Sequence, residues 1–186
     1  AASDVYKRQV YTNYPTAELF INGKSYGKQS KNNSSLKSRY RLMWMDAVYE
    51  PGEVKVVAYN KDGKAVAEKT VRTAGKPHHI ELVSNRNELT ADGKDLAYVT
   101  VKVVDKDSNL CPTDSRLIHF SVKGAGKFRA VANGDPTNLE QFHLPKMHAF
   151  HGMLTAIVQA GEIAGDLVLT AKASGVKTGT VHLQAK

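Results

Sequence analysis

The residues best suited to chemistry lie in one polar loop, Asn133-Gly-Asp-Pro-Thr137. An amide, a carboxylate and a hydroxyl within five positions can hold a sugar hydroxyl or a hard cation such as Ca²⁺. The same residues can instead close a turn, with Asn133 and Asp135 accepting local backbone N–H groups. A Ca²⁺ site takes about 6–8 oxygens and no EF-hand spacing supplies them here, so the turn outweighs the cation. Asp135 and Glu140 do not make a glycosidase pair, which needs carboxyls about 5–10 Å apart across a cleft that holds the sugar ring. His143, His148 and His151 surround Pro145 at a spacing that fits neither a helix face nor a zinc finger, and they read as loop or surface residues. No Ser/His/Asp arrangement or phosphate-cradling glycine loop is present. The single cysteine, Cys111, excludes an intrachain disulfide and lacks a helix N-terminus or paired histidine to activate it. No catalytic residue, metal set or cofactor is expected.

The aromatic residues Tyr26, Tyr40, Trp44 and Tyr49 could stack on sugar rings. A strand over 40–45 puts Tyr40, Leu42 and Trp44 on one face, which points them to a core. Tyr26 and Tyr49, beside turns, are the better candidates for exposure. The candidate binding set is therefore Asn133, Asp135, Thr137, Tyr26 and Tyr49.

The elements that must position these residues are strands. From Ala97 the chain alternates: Ala97, Val99, Val101 and Val103 fall on one face, and Tyr98, Thr100 and Lys102 on the other. Successive strand side chains face opposite sides, so this is a half-buried strand of an antiparallel sheet. Val54, Val56 and Ala58 repeat the pattern, as do Ile118, Phe120 and Val122 opposite Leu117, His119 and Ser121. Asn22-Gly23 is the strongest hairpin signal. No window shows a helical period. The predicted fold class is all-β: two consecutive immunoglobulin-like antiparallel β-sandwiches.

Gly75 and Pro77 mark a linker over 75–77. It separates a first sandwich over 10–74 from a second over 78–186. Residues 1–9 stand apart. Asp4-Val-Tyr-Lys-Arg-Gln9 matches the translation of a transposon end used to fragment DNA for sequencing, and it is set aside as a library scar.

Composition excludes several classes. With 41% hydrophobic and 24% charged residues among 186, the balance is that of a globular protein. No apolar run approaches the roughly 20 residues that span a bilayer, and no signal peptide is visible. The net charge is +8. The lysines, however, are scattered over turns and wet strand faces, with no basic stripe interleaved with aromatics, so nucleic acid is not an expected partner.

Two sets of blocks carry a resemblance. Val10-Tyr-Thr-Asn13, Glu18 to Gly27, Trp44, Tyr49-Glu-Pro-Gly-Glu53 and Val71 to Pro77 resemble an accessory domain of β-galactosidase-like enzymes of glycoside hydrolase family 2. Leu89 to Gly93, Tyr98 to Val101, Ala132 to Thr137 and Ala149 to Gly152 resemble the immunoglobulin-like domain that follows it. The resemblance implies a parent enzyme with two glutamates on a barrel, both absent here. It makes this chain a non-catalytic region that braces the barrel, with a glycan or a second copy as further partners. It also implies a periplasmic or secreted bacterial setting. Adhesin- or invasin-like surface modules and a carbohydrate-binding module are the alternatives.

Overall fold

The computed structural model describes residues 8–186. Most of the expected scar, residues 1–7, lies outside the described residues. The chain divides into two compact units, 1–73 and 74–186, and every described element is a strand.

In the first unit, β1 (Arg8–Val10), β2 (Thr16–Ile21), β3 (Lys24–Ser30), β4 (Leu42–Trp44), β5 (Glu53–Tyr59) and β6 (Ala65–Arg72) follow in order. A four-stranded antiparallel sheet runs β3-β2-β5-β6, and β1 pairs with β4 as a two-stranded ribbon. Arg8 and Gln9, set aside with the scar on sequence grounds, belong to β1 and pair with Trp44 and Met43. The β2–β3 turn has positive φ at both Asn22 (48°) and Gly23 (81°), the twist that a tight hairpin requires. Ala17, Leu19 and Ile21 alternate inward along β2 and meet Leu42, Trp44, Ala47 and Ala58 in a small core. Trp44 is fully buried, and its indole N–H donates to the Gly27 carbonyl at 2.9 Å. Tyr40 departs from the expectation. It is 66% exposed, because β4 begins only at Leu42 and residue 40 lies in a bend where strand alternation does not apply.

In the second unit nine strands form two sheets. One runs β12-β10-β14-β15-β8, built from β8 (Glu88–Leu89), β10 (Leu117–Gly124), β12 (Lys146–His148), β14 (Gly165–Lys172) and β15 (Gly179–Ala185). The other runs β11-β13-β9-β7, from β7 (His79–Ser84), β9 (Leu96–Val104), β11 (Gly126–Ala132) and β13 (Met153–Ala160). All these pairs are antiparallel except the two-residue match of β8 with β15. The β9 alternation holds: Ala97, Val99, Val101 and Val103 are sealed while Tyr98 is exposed. They face Ile118, Phe120, Leu167, Leu169 and Ala171 across a layer of apolar side chains.

The linker sequence is anchored to the second unit. The buried Asp105 carboxylate accepts the Gly75 N–H at 2.7 Å, and His78 N donates to the Val104 carbonyl.

Candidate functional site

The loop that follows β11 brings Asn133, Asp135 and Thr137 together, and they converge on one another. Gly134, at φ +78°, reverses the chain. Asn133 donates its amide to the His148 carbonyl (2.9 Å) and accepts the Asp135 N–H (3.1 Å). Asp135 accepts the Thr137 N–H (2.9 Å) and hydroxyl (2.7 Å) through one oxygen. The backbone N–H of Thr137, then its hydroxyl, hold the Asp135 carboxyl below the usual carboxylate range. Further along, Asn138 accepts the Glu140 N–H, and Glu140 grips both the N–H and the ring Nδ1 of His148, each at 3.1 Å. These are Asx-type turns in series, and they lock a long connection into one conformation.

The chemistry this loop offers is therefore limited. Asp135 and Glu140 are each committed to a different neighbour. His151 reaches the Pro112 carbonyl at 3.2 Å, away from the His148–Glu140 pair. Among the described residues no group of three or more His, Cys, Asp or Glu side chains is placed to hold a metal ion. What the loop does present is apolar: Leu139 is 96% exposed, Phe142 57% and Leu144 37%. None of these three is among the candidates that the sequence suggests. Their signal was the presence of Leu and Phe between Asx turns, where polar residues are the rule.

Tyr26 and Tyr49 lie in the first unit and no hydrogen bond or ring contact joins them. Tyr26 is half-buried on β3, packed against the small core, with Lys24 Nζ 5.6 Å from its ring. Tyr49 is exposed, and its hydroxyl pairs with Thr73 Oγ1 at 3.2 Å. An aromatic concavity does form elsewhere in the first unit. Tyr11, Thr12, Asn13, Lys31 and Tyr40 line a cleft of about 410 Å³. Residues 29 positions apart (40 − 11) meet there because β1 pairs with β4, so a scan for linear basic and aromatic stripes does not find it.

Three buried groups of the second unit are structural. Asp105 accepts the N–H groups of Gly75, Asp107 and Asn109 and the Asn109 amide, and the Gly75 N–H above all holds its carboxyl far below the usual range. Burial works to raise the Asp114 pKa, but the Arg116 guanidinium, bonded to both carboxylate oxygens, overcomes it and leaves the group lowered. Burial, then the nearby Asp105 and Asp114 charges, push the Cys111 thiol up, the opposite of what a nucleophile needs.

Comparison with known proteins places both units. Residues 80–182 match the family described as glycoside hydrolase family 2 C-terminal domain 5. Residues 7–67 match a domain of unknown function, DUF4982. A beta-galactosidase of Bacteroides ovatus is 41% identical over 176 residues, covering 95% of this chain and 20% of that protein. A beta-galactosidase of Thermoanaerobacter pseudethanolicus is 30% identical, over 89% of this chain and 22% of that protein. A glycosyl hydrolase family 2 member from Bacteroides cellulosilyticus superposes with a TM-score of 0.85 at 32% identity, over 97% of this chain and 23% of that one. The chain thus spans about a fifth of the length of the curated relatives it matches.

Proposed function

This chain belongs to glycoside hydrolase family 2, carrying its C-terminal domain 5, and from that premise we propose that it is the non-catalytic region that braces the barrel of a longer β-galactosidase-like enzyme. The observation that carries the reading is the loop from Asn133 to Leu144. Its polar groups are used up on one another, and its outer side offers Leu139, Phe142 and Leu144 to solvent. Ordering a loop this tightly is a conformational cost with no return for a monomer that leaves the apolar side wet. A neighbouring domain that covers those side chains supplies the return. Retaining glycosidases need two carboxyls about 5–5.5 Å apart beside a sugar-sized cleft, and this loop holds its carboxylates in turns instead. Cleavage of β-galactosides is the work of the whole protein, on the part that this chain does not contain.

The test uses the intact enzyme. Leu139→Ser with Phe142→Ser should lower the temperature at which the barrel inactivates, while turnover of a small chromogenic β-galactoside before heating stays unchanged. Unaltered inactivation in the double variant contradicts the bracing role.

A further inference from the structure

The Tyr11–Tyr40 cleft belongs to the first unit, outside the loop that carries the bracing proposal, and its composition is that of a binding site. Tyr11 is 71% exposed and Tyr40 66%, so two amphipathic rings stand in water on one concave surface. A pyranose offers a face of C–H groups that packs on such rings, with hydroxyls at its edge for polar partners. Those partners are present. The Asn13 amide and the Tyr40 hydroxyl make no hydrogen bond within the described protein. Lys31 spends one N–H on the Thr12 carbonyl and keeps two.

Charge narrows the ligand further. Between Glu18 and Asp46 the chain carries Lys24, Lys28, Lys31, Lys37, Arg39 and Arg41 and no acid. Arg41 reaches Gln9 Oε1 at 3.1 Å, the same atom that the Tyr11 hydroxyl approaches at 3.4 Å. The Arg39 guanidinium lies 5.9 Å from the Tyr40 ring centre; its Nε and Nη2 donate to the Asn33 carbonyl and the Arg41 Nε to the Lys37 carbonyl, so each arginine brings its charge and the rest of its N–H groups to the rim of the cleft. Among the described residues neither arginine nor Lys31 has a carboxylate partner, whereas Arg72 of the same unit is paired with Glu53. Unneutralised cations around an aromatic cleft attract an anion and give it donors.

We propose that this cleft binds an acidic sugar, a uronate unit of a glycan, with its ring on Tyr11 and Tyr40 and its carboxylate toward Lys31, Arg39 and Arg41. The choice of a glycan over another polyanion rests on the family reading above; a single-stranded nucleic acid uses the same stacking and charge. The cleft would hold a substrate chain near the enzyme without acting on it.

The experiment is an NMR titration of this 186-residue chain with three probes: a hyaluronan tetrasaccharide, galactotetraose, and an oligothymidine. The tetrasaccharide should shift the amides of Tyr11, Asn13, Lys31 and Tyr40 at millimolar concentration. Tyr40→Ala and Arg41→Gln should each weaken it by about tenfold, the scale of one lost stack or charged hydrogen bond. Added salt should weaken it too. Unchanged Trp44 emission in both variants verifies that the fold is retained. Three results would overturn the assignment: no shift from the tetrasaccharide, equal binding of galactotetraose, or tighter binding of oligothymidine at the same amides. Any of them leaves the bracing role standing, because the titration involves neither the barrel nor turnover.

Discussion

Leu19→Ala should destabilise the first unit without loosening the second. Leu19 is sealed in the middle of β2, between Ala17 and Ile21, in a core of only seven buried side chains. Truncating a leucine in such a place costs about 2–5 kcal/mol, because the lost transfer energy is joined by a cavity that the surroundings fill only in part. A unit of roughly 70 residues is held by about 4–10 kcal/mol, so the change removes a large share of the total. With a urea slope of about 1 kcal/mol per molar, the midpoint should fall by roughly 3 M. The protein carries its own reporter. Trp44 is the single tryptophan, it is buried in that core, and its emission follows this unit alone. The second unit is read from amide exchange at Val101 and Leu169, which lie in a separate core. Leu19→Ala should shift the Trp44 transition and leave that exchange unchanged. Leu169→Ala should do the reverse. If either variant moves both signals in step, the division into two self-sufficient cores is wrong.

Acid should strike the second unit through Asp105 and Asp114. Both have lowered folded pKa values, so their contribution is complete above the unfolded value of about 3.9 and is lost as pH falls through the lowered folded values. An acid titration of Asp105→Asn, followed by circular dichroism, should therefore show a shallower loss of stability than the parent; an identical slope would count against the Asp105 assignment. Gly52→Ala should destabilise the first unit by about 1–3 kcal/mol, since residue 52 sits at φ +136° and a Cβ there would lie 2.0 Å from the Asn22 side-chain oxygen. That oxygen accepts the Glu53 N–H at 2.8 Å and cannot move without giving it up, and a Trp44 urea transition measures the result. Cys111 should react with a maleimide only as fast as the second unit opens, being buried with a raised pKa; rapid labelling of the folded chain would contradict that placement.

Features set by local chemistry were legible in the residues. The β9 alternation is one, because a period of two over seven positions leaves a single way to bury Ala97 to Val103. The Asn22-Gly23 hairpin is another, since few residues tolerate positive φ at two successive positions. The Asn133 to Thr137 loop reads as Asx turns for the same reason, as its partners lie two residues apart. Features set by pairing at a distance were not legible. Alternation counted back from Trp44 points Tyr40 to the core, but the bend at residue 40 ends the strand pattern first. The Tyr11–Tyr40 cleft exists only because three residues of β1 pair with three of β4, and neither strand is long enough to declare a partner. The parallel contact of β8 with β15 involves two residues and leaves no pattern at all. Leu139 and Phe142 could be seen as misplaced in a polar loop, yet their exposure follows from which side of the turn series faces out.

The central claim is that these two β-bodies hold no reaction centre of their own. The most direct measurement is hydrolysis of p-nitrophenyl β-D-galactopyranoside by the purified 186-residue chain. Release of nitrophenol should match buffer alone at every chain concentration. Turnover that rises in proportion to the chain, and that Asp135→Asn or Glu140→Gln abolishes, would place a working carboxylate pair in the loop and contradict the account.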